Sequence, residues 1–386
     1  MKYYLLSSCV LLSMLLFACK GNEPDVVNGF IIPSTILAEN ASAAEATLTV
    51  NLNGTINEPI TATYEIREGS AKFDTDLKAG SGDLTFEPEN ATTTLPIELI
   101  DDDALEIGED FEIIISYAGQ QWVTAVSITD NDEIEDIMRD ADGFYTPATH
   151  TSMELVWSDE FDGSSLNESD WTYEIGDGCD KGLCGWGNNE LQNYTNDVSN
   201  LKMENGFMTI TARNDNNQYT SSRIITQGKQ EFQFGRVDAR ARMPKGQGIW
   251  PAIWMLGSNI DDVSWPMCGE IDIMEIVGHE PNITHGTVHY DDSGYKYSGS
   301  SYTLVGSDFS DEFHVYSIVW DRNIITWYID NIPFKTFRKD NIGTYPFNQP
   351  FFFIFNIAVG GNWPGDPDGS TVFPQEMVVD YVRIFQ

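Results

Sequence analysis

The chain has 386 residues, more than one ordinary hydrophobic core organises, so two domains are expected. It carries 21 Lys and Arg against 60 Asp and Glu, a formal net charge of −39. A surface this acidic repels phosphates and anionic membrane surfaces, which argues against nucleic acid as a partner. A neutral substrate or bound calcium fits such a surface better.

The N-terminus reads MKYYLLSSCVLLSMLLFACKGNEPD, in which one Lys precedes an apolar run that ends at Ala18. The run is short for a membrane span and ends in small residues, which is typical of an export signal. Its ending, LFAC, resembles a bacterial lipobox. That resemblance implies a signal peptide over 1–18, lipidation of Cys19 and an acidic tether over 19–30. It places the protein, lipid-anchored, at the bacterial outer membrane or cell surface. A plain secretory signal with an incidental cysteine is the alternative.

Three cysteines remain once Cys9 and Cys19 are assigned to the signal and the anchor. Cys179 and Cys184 flank the glycine-rich segment GCDKGLCGWG, and in an exported protein this predicts a local disulfide. So small a ring constrains a loop more than it stabilises a fold. Cys268 has no basic partner in the sequence and is expected to be a buried thiol rather than a nucleophile.

Residues 31–132 are rich in strands and poor in helices. Segments such as ATLTVNLNG, ITATYEIREG and DFEIIISYAG alternate apolar and polar residues between Gly, Asn and Asp turns. This pattern predicts a small, immunoglobulin-like antiparallel sandwich. The phrases GDLTFEPENATTTLPIELIDDDALEIGEDFEIII and VSITDND resemble a Calx-β domain.

The Calx-β resemblance implies acidic loops that can hold calcium at one end of the sandwich. The matching positions are Glu39, Asp76, Asp101, Asp102, Asp130 and Asp132. Calcium takes hard oxygen ligands of this kind. Solvated acidic turns are an equal alternative in so anionic a chain, and the module is expected to act as a spacer.

Residues 133–149, EIEDIMRDADGFYTPAT, are charged and then turn-rich, and are predicted to be a linker. The remainder, 150–386, is again strand-rich, with no convincing helical run. The economical prediction is one large all-β jelly-roll sandwich. The chain as a whole is therefore expected to be all-β, a β-jelly-roll sandwich preceded by the smaller N-terminal one.

The segment GEIDIMEIVG places three carboxylates inside an otherwise apolar strand. Glu270 and Asp272 share a face because side chains at i and i+2 do, whereas Glu275 at i+5 points the other way. One inserted residue, a β-bulge, restores the parity and puts all three acids on one face. The two Glu Cα atoms then lie roughly 13 Å apart, so side chains that lean together can reach the carboxyl separation of a retaining glycosidase.

In such a pair one Glu attacks the anomeric carbon while the other donates and later accepts a proton, and periodicity does not say which is which. Asp272 can hydrogen-bond one Glu and keep the pair unequally protonated. A metal site is one alternative, although no His stands at a ligand spacing inside the strand. The solvent-facing side of an amphipathic strand is the other.

The surrounding motifs favour the catalytic interpretation. GRVDARARMPKGQGIWPAIWML, EIDIMEIVG, THGTVHY and NIAVGGNWPG, in this order, resemble glycoside hydrolase family 16, and specifically the laminarinase-type endo-β-1,3-glucanases. The five-residue spacing of the two Glu matches the bulged E-x-D-x-x-E form rather than the four-residue spacing of the lichenase branch. The resemblance implies Glu270 as nucleophile, Asp272 as its assisting acid and Glu275 as acid/base.

The same resemblance implies substrate-binding residues. These are Asn188, Arg223, Trp250, Trp254, His289 and Trp363. For the tryptophans core packing is the alternative, and for His289 a structural role. Many members also hold a structural calcium, which here matches the Asp380 carboxylate and backbone oxygens near Glu160 and Gly206; Asp380 could instead merely cap the last strand. Catalysis needs no cofactor.

The sequence thus predicts a monomeric, lipid-anchored endo-glucanase that cuts internal β-1,3 bonds of β-glucan with retention. Laminarin is the first expected substrate and mixed-linkage β-1,3/1,4-glucan the second. Three rivals remain: a glycan-binding protein that lost catalysis, a family 16 hydrolase of another polysaccharide such as a galactan, and an adhesion protein that acts through its N-terminal module.

Overall fold

The computed structural model describes residues 25–33, 35–41, 46–101, 109–129, 138–150, 153–339 and 342–386. Within these ranges the regular structure is 27 β-strands, two short 3-10 helices and one four-residue α-helix, so the all-β prediction is confirmed. None of the helices in these ranges has the length and apolarity that a membrane crossing requires. The predicted signal peptide and Cys19 lie outside the described residues.

The N-terminal module is a sandwich of a three-stranded and a five-stranded sheet, ordered β1-β3-β6 and β2-β8-β7-β4-β5. Alternating residues such as Leu48, Val50 and Leu52 point into its core. The strands are β1 (Val26–Ile31), β2 (Ile36–Ala38), β3 (Thr47–Thr55), β4 (Ile60–Glu68), β5 (Ser81–Phe86), β6 (Thr92–Pro96), β7 (Glu109–Tyr117) and β8 (Gln120–Thr129).

Two predicted boundaries differ from the structure. Strand β1 occupies most of the second half of the segment 19–30 that was predicted as a tether, because it pairs with β3 along its length. Within the predicted linker 133–149, a hairpin of β9 (Met138–Arg139) and β10 (Phe144–Tyr145) packs on the larger module. The Phe144 N–H donates to the carbonyl of Phe313, and the carbonyl of Phe144 accepts from Arg240. Residues 138–145 therefore belong structurally to the larger module.

The larger module is a sandwich of a ten-stranded sheet, here called the outer sheet, and a seven-stranded sheet, here called the cleft sheet. The outer sheet contains β11 (Leu155–Asp159), β13 (Gln192–Tyr194), β14 (Leu201–Glu204), β15 (Phe207–Asp215), β16 (Gln218–Ser221), β18 (Gly235–Arg242), β23 (His314–Trp320), β24 (Ile324–Ile329), β25 (Ile332–Arg338) and β27 (Gln375–Phe385).

The cleft sheet runs in the order β12-β17-β26-β19-β20-β21-β22. Its strands are β12 (Thr172–Tyr173), β17 (Arg223–Ile225), β19 (Ile249–Gly257), β20 (Glu270–Glu275), β21 (Ile283–Asp291), β22 (Tyr295–Thr303) and β26 (Phe351–Val359). The short helices are Cys179–Lys181, Cys184–Gly187 and Ile260–Val263. One face of this sheet packs on the outer sheet through a continuous apolar core, and the other face is left for the cleft.

The acid strand β20 lies near the middle of the cleft sheet and is bulged. Against β19, Met274 pairs with Ile253 but Asp272 pairs with Trp254, so Ile273 is an extra residue. The register with β21 shifts over the same stretch. This confirms the predicted bulge, which lets an i+5 spacing place Glu275 on the face of Glu270.

Candidate active site

The open face of the cleft sheet forms a groove of about 1040 Å³. Glu270, Asp272 and Glu275 all line it, while Ile271, Ile273, Met274 and Ile276 point into the core on the opposite side. Three carboxylates therefore share one face of a single strand. The groove has room for several sugar-sized units.

Each glutamate receives a hydrogen bond from a tryptophan indole. Trp265 Nε1 donates to Glu270 Oε2 over 2.7 Å, and Trp250 Nε1 donates to Glu275 Oε1 over 3.1 Å. Trp250 lies on β19 beside the acid strand, whereas Trp265 lies in the loop that leads into it. An N–H donor favours the ionised form of a carboxyl group, so both tryptophans oppose the effect of burial.

His289 reaches the acids from the neighbouring strand β21, where it pairs with Glu270. Its Nε2 lies 3.1 Å from Asp272 Oδ2 and 3.8 Å from Glu270 Oε1, and its Nδ1 lies 2.7 Å from the Tyr295 hydroxyl. Glu270, Asp272 and His289 thus form a group with the ligand types and spacing that a metal ion could use. The sequence could not show this, because the His comes from another strand.

The three carboxyl groups have raised pKa values. Burial and the charge of Asp272 raise the pKa of Glu270 to about 8, against the lowering effect of His289 and Trp265. Burial likewise raises the pKa of Asp272 to about 8. Burial together with the charges of Asp272 and Glu270 raises the pKa of Glu275 well above its ordinary value. Burial thus favours the protonated form of all three carboxyl groups.

One wall of the groove is built around Arg223. Its guanidinium lies between the rings of Trp186 and Trp254, 4.4 Å and 4.9 Å from their centroids. The Arg223 Nε donates to the buried carboxylate of Glu174, which also accepts from Lys181. Arg223 and Lys181 hold the pKa of Glu174 below its usual range although burial opposes them. The wall is therefore fixed by charge-assisted contacts.

The polar residues of this wall orient one another. Asn188 lines the groove, and its Nδ2 donates to Glu190 over 3.3 Å. Trp254 Nε1 donates to Asn356 over 2.8 Å, which locks the indole in place. Burial raises the pKa of Glu190. These side chains present amide and carboxyl groups to the groove, the chemistry that sugar hydroxyls require.

At the end of the groove near Glu275 stands Trp363, 43% exposed. Its ring meets Trp250 edge-on with 5.6 Å between centroids, and meets His285 with 4.9 Å. Burial lowers the pKa of His285, which keeps that ring neutral beside Glu275, its partner on β20. All six predicted substrate-binding residues thus line the groove.

Cys179 and Cys184 are joined by a disulfide, and the loop they close carries Lys181 to the groove. Cys268 is a buried free thiol, as the sequence predicts. Burial and the charge of Glu270 raise its pKa to about 12, so it is not a nucleophile.

Sequence reasoning missed several groove residues. They are Glu174, Trp186, Glu190, Trp265, His285, Tyr295, Tyr297 and Asn356. Trp265 had a usable signal, since it stands five residues before Glu270. The others lie on other strands and loops, and no regular spacing links them to the acids.

The predicted calcium positions lie together at the interruption between two strands that pair with β27. Met208 of β15 pairs with Val379 and Asp159 of β11 pairs with Val382, so Gly206 and Glu160 flank the intervening residues, which include Asp380. The Asp380 carboxylate accepts from Arg240 over 2.6 Å. The two carboxylate oxygens of Glu160 accept from Nε and Nη2 of Arg383, so this side chain is already paired.

Of the acids predicted at the N-terminal calcium site, Glu39 and Asp76 are buried. The Glu39 N–H donates to the carbonyl of Thr129, and the carbonyl of Asp76 accepts from Ile100, the residue before Asp101. Asp102, Asp130 and Asp132 lie outside the described residues. Calcium binding by this module stays a prediction.

Comparison with known proteins agrees with this geometry. The family model of glycosyl hydrolases family 16 matches residues 184–383, and a Calx-beta domain model matches residues 24–132. The chain therefore belongs to glycosyl hydrolase family 16, and both predicted resemblances are confirmed.

Among its relatives is a β-glucanase of Rhodothermus marinus, 41% identical over 254 residues that cover 60% of this chain and 85% of that protein. A glucan endo-1,3-β-glucosidase A1 of Niallia circulans is 35% identical over 330 residues, 78% of this chain. The match spans 47% of that relative's length. A solved structure, the laminarinase catalytic domain of Thermotoga maritima MSB8, is 44% identical with a TM-score of 0.58, covering 61% of this chain and 98% of that one.

Proposed function

We propose that this chain is a retaining endo-hydrolase of internal β-1,3-glucosidic bonds in β-glucans. Laminarin is the first expected substrate and mixed-linkage β-1,3/1,4-glucan the second. The observation that carries the proposal is the bulged acid strand, which turns Glu270 and Glu275 into one groove with Asp272 between them. Relatives and structures named glucanase or laminarinase support the choice of substrate.

The resemblance to glycoside hydrolase family 16 supports an assignment of the roles that periodicity left open. Glu275, whose pKa burial and the charges of Asp272 and Glu270 raise well above its ordinary value, donates its proton to the glycosidic oxygen as the bond to the anomeric carbon breaks. Glu270 in its ionised form, which Trp265 and His289 favour against the effect of burial, attacks that carbon and forms a glycosyl ester. Glu275, now ionised, takes a proton from water, whose oxygen displaces Glu270 and restores the starting protonation. Asp272 assists Glu270 from the same face of β20.

The character of the groove favours neutral glucan over an anionic galactan. The Lys and Arg side chains that line it are Lys181 and Arg223. Both cations are engaged by Glu174. A sulfated chain therefore finds neither cation unpaired, whereas the exposed faces of Trp265 and Trp363 offer stacking to neutral rings.

The test is release of reducing ends from laminarin, barley β-glucan, agarose and carrageenan by the wild type and by Glu270→Gln and Glu275→Gln. Glu275→Gln is expected to lower the rate by about 10²–10⁴-fold and Glu270→Gln at least as much. The matched control is Asp261→Asn. Asp261 lies on the helix Ile260–Val263 at the rim of the groove, and its substitution is expected to keep the rate. Equal, near-zero rates for wild type and variants would favour a glycan-binding protein, and a preference for agarose or carrageenan a galactan hydrolase.

We further propose a structural calcium ion at the interruption beside β27. The donors that fit are the Asp380 carboxylate and the backbone oxygens of Glu160 and Gly206, all hard oxygens suited to calcium. Asp162, whose Oδ1 would lie 3.4 Å from a Cβ on Gly206, adds a nearby carboxylate. Removal of calcium with a chelator is expected to lower the melting temperature. The catalytic carboxylates are not part of this site. An unchanged melting temperature would contradict the proposed ion.

The cellular arrangement is also a proposal: a monomer held at the bacterial cell surface or outer membrane by lipid on Cys19, with the Calx-β module as spacer. Two observations support it. The N-terminal segment ends in the lipobox-like sequence LFAC, and Cys179 and Cys184 form a disulfide, which is typical of exported proteins. Metabolic labelling with palmitate in the wild type and Cys19→Ser tests the anchor. Label that persists in Cys19→Ser would refute it.

A further inference from the structure

The bulge that aligns the two glutamates has a specific support from the opposite sheet. Trp327 of β24 is fully buried, and its Nε1 donates to the backbone carbonyl of Asp272 over 2.8 Å. That carbonyl belongs to the peptide unit that joins Asp272 to the extra residue Ile273. A bulge disrupts the ladder locally, so a backbone group at this point needs a partner from elsewhere.

Room for this indole is made by Gly286 on β21. Gly286 lies between Thr287, the partner of Asp272, and His285, the partner of Glu275. A Cβ on Gly286 would lie 2.5 Å from Trp327 Cδ1 and 2.9 Å from its Cγ, distances that no side chain tolerates. The glycine of the THGTVHY motif is thus explained by the tryptophan beneath the bulge rather than by backbone conformation.

A cation completes the arrangement. Lys335 of β25 is 9% exposed, and its Nζ lies 4.9 Å from the centroid of the Trp327 ring. The same Nζ donates to Ser298 Oγ on β22 over 3.1 Å. A positive charge on the face of an indole is attracted to the ring and restrains its orientation. Trp327 is therefore held on three sides, by Gly286, Lys335 and the Asp272 carbonyl.

We propose that Trp327 is a positioning residue for catalysis: with Gly286 it holds the β20 bulge in the register that presents Glu270 and Glu275 to the same bond. This inference rests on the proposed hydrolase function. Trp327 touches no substrate, since it lies between the two sheets. Its effect is on the relative placement of the two carboxyl groups, for which a misplacement of about 1 Å can cost 10²-fold in rate.

Trp320 on the adjacent strand β23 offers a matched control. It is also buried in the same core, and its Nε1 donates to a backbone carbonyl, that of Phe347, over 3.0 Å. Trp320→Phe therefore removes an equal volume and an equal hydrogen bond without touching the bulge. Both Trp327→Phe and Trp320→Phe are expected to lose stability. Only Trp327→Phe is expected to change the register of β20.

The experiment compares Trp327→Phe, Gly286→Ala, their double variant and Trp320→Phe in the full chain on laminarin. Trp327→Phe and Gly286→Ala are each expected to lower kcat by about 10–100-fold with KM changed less than twofold. Trp320→Phe is expected to lower the melting temperature and keep kcat. The double variant is expected to lose no more than the worse single one, because both substitutions break the same contact.

Crystal structures of Trp327→Phe and Trp320→Phe give a readout that does not depend on activity. The expected result is a changed β20 register or a displaced Glu275 carboxylate in Trp327→Phe alone; if Trp327→Phe does not fold, Gly286→Ala takes its place. An unaltered strand together with wild-type kcat would overturn the positioning role and leave the hydrolase proposal standing. If the wild type were inactive on every glucan, the proposed hydrolase function would be wrong instead. The β20 register in the crystal structures would then still show whether Trp327 supports the bulge.

Discussion

Two groups of buried carboxylates lie in the larger module, and they have opposite properties. Asp238 on β18 is fully buried in the outer sheet, where its Oδ1 accepts from Arg236 Nε and Ser317 Oγ, both over 2.7 Å. His150 Nε2 lies 3.2 Å from its Oδ2. Although burial alone would raise the pKa of Asp238, Arg236 and His150 hold it well below its ordinary value.

Asp272 of the acid strand is buried to nearly the same extent and has the opposite outcome, since its pKa is raised. Glu270 and Glu275 face Asp272, another acid, and no Arg or Lys forms an ion pair with them within the described residues. Their pKa values rise. Burial thus does not decide whether a carboxylate is structural or reactive, and the charge of its partners does.

The largest expected effect is on the structural acid. Asp238→Asn leaves the buried Arg236 without its counter-charge and is expected to lower the free energy of unfolding by about 3–5 kcal/mol. The depressed pKa of Asp238 means that the wild-type contribution is present above about pH 3.8 and is lost as pH falls below it. Denaturant unfolding at pH 7 measures the effect, and a loss below about 1 kcal/mol would remove the contrast with the acid strand.

Glu270→Gln is expected to act in the opposite direction on stability. The pKa of Glu270, about 8 in the folded protein, exceeds its ordinary value of 4.5, so its destabilising contribution grows as pH rises above 4.5. At pH 7 the substitution is expected to raise the free energy of unfolding by up to about 3 kcal/mol, and near pH 4 to leave it unchanged. Asp261→Asn is the control and is expected to leave the free energy of unfolding at pH 7 unchanged. Destabilisation by Glu270→Gln at pH 7 would contradict the prediction.

The two indole donors are expected to control opposite limbs of the pH profile. Trp265→Phe removes a donor from Glu270, raises its pKa and moves the acidic limb of kcat/KM to higher pH, with about tenfold lower activity. Trp250→Phe removes the donor from Glu275 and moves the basic limb to higher pH. Initial rates on laminarin from pH 4 to 10 distinguish them. If both variants moved the same limb, the assignment of nucleophile and acid would be wrong.

The smallest effect is expected from the N-terminal module. Deletion of residues 25–132 removes the contacts of Arg322 with Asp110 and of Asn323 with Ser127, all remote from the groove residues. The rate on laminarin is expected to change less than twofold. A deletion extended to residue 145 also removes Asp140 and Phe144 from Arg240 and is expected to lower the melting temperature. A large rate loss with the shorter deletion would instead favour an adhesion protein that acts through this module.

The sequence by itself determined the fold class and the chemistry of the central strand. Alternation in segments such as β3 predicts strands because the side-chain period of a strand is two. The same rule predicts a bulge between Asp272 and Glu275, because only an extra residue places Glu270, Asp272 and Glu275 on one face. The order of the surrounding motifs extended this to family membership and to the groove residues Asn188, Arg223 and Trp254.

Only the tertiary structure decided what surrounds those acids. His289 reaches Asp272 from the neighbouring strand, Trp327 supports the bulge from the opposite sheet, and β10 attaches a predicted linker to the larger module. Local periodicity constrains which face a side chain occupies, but not which distant strand lies against that face. Hydrogen bonds and charges that meet only in the packed sandwich shift the pKa values of the three acids, and local periodicity does not predict those shifts.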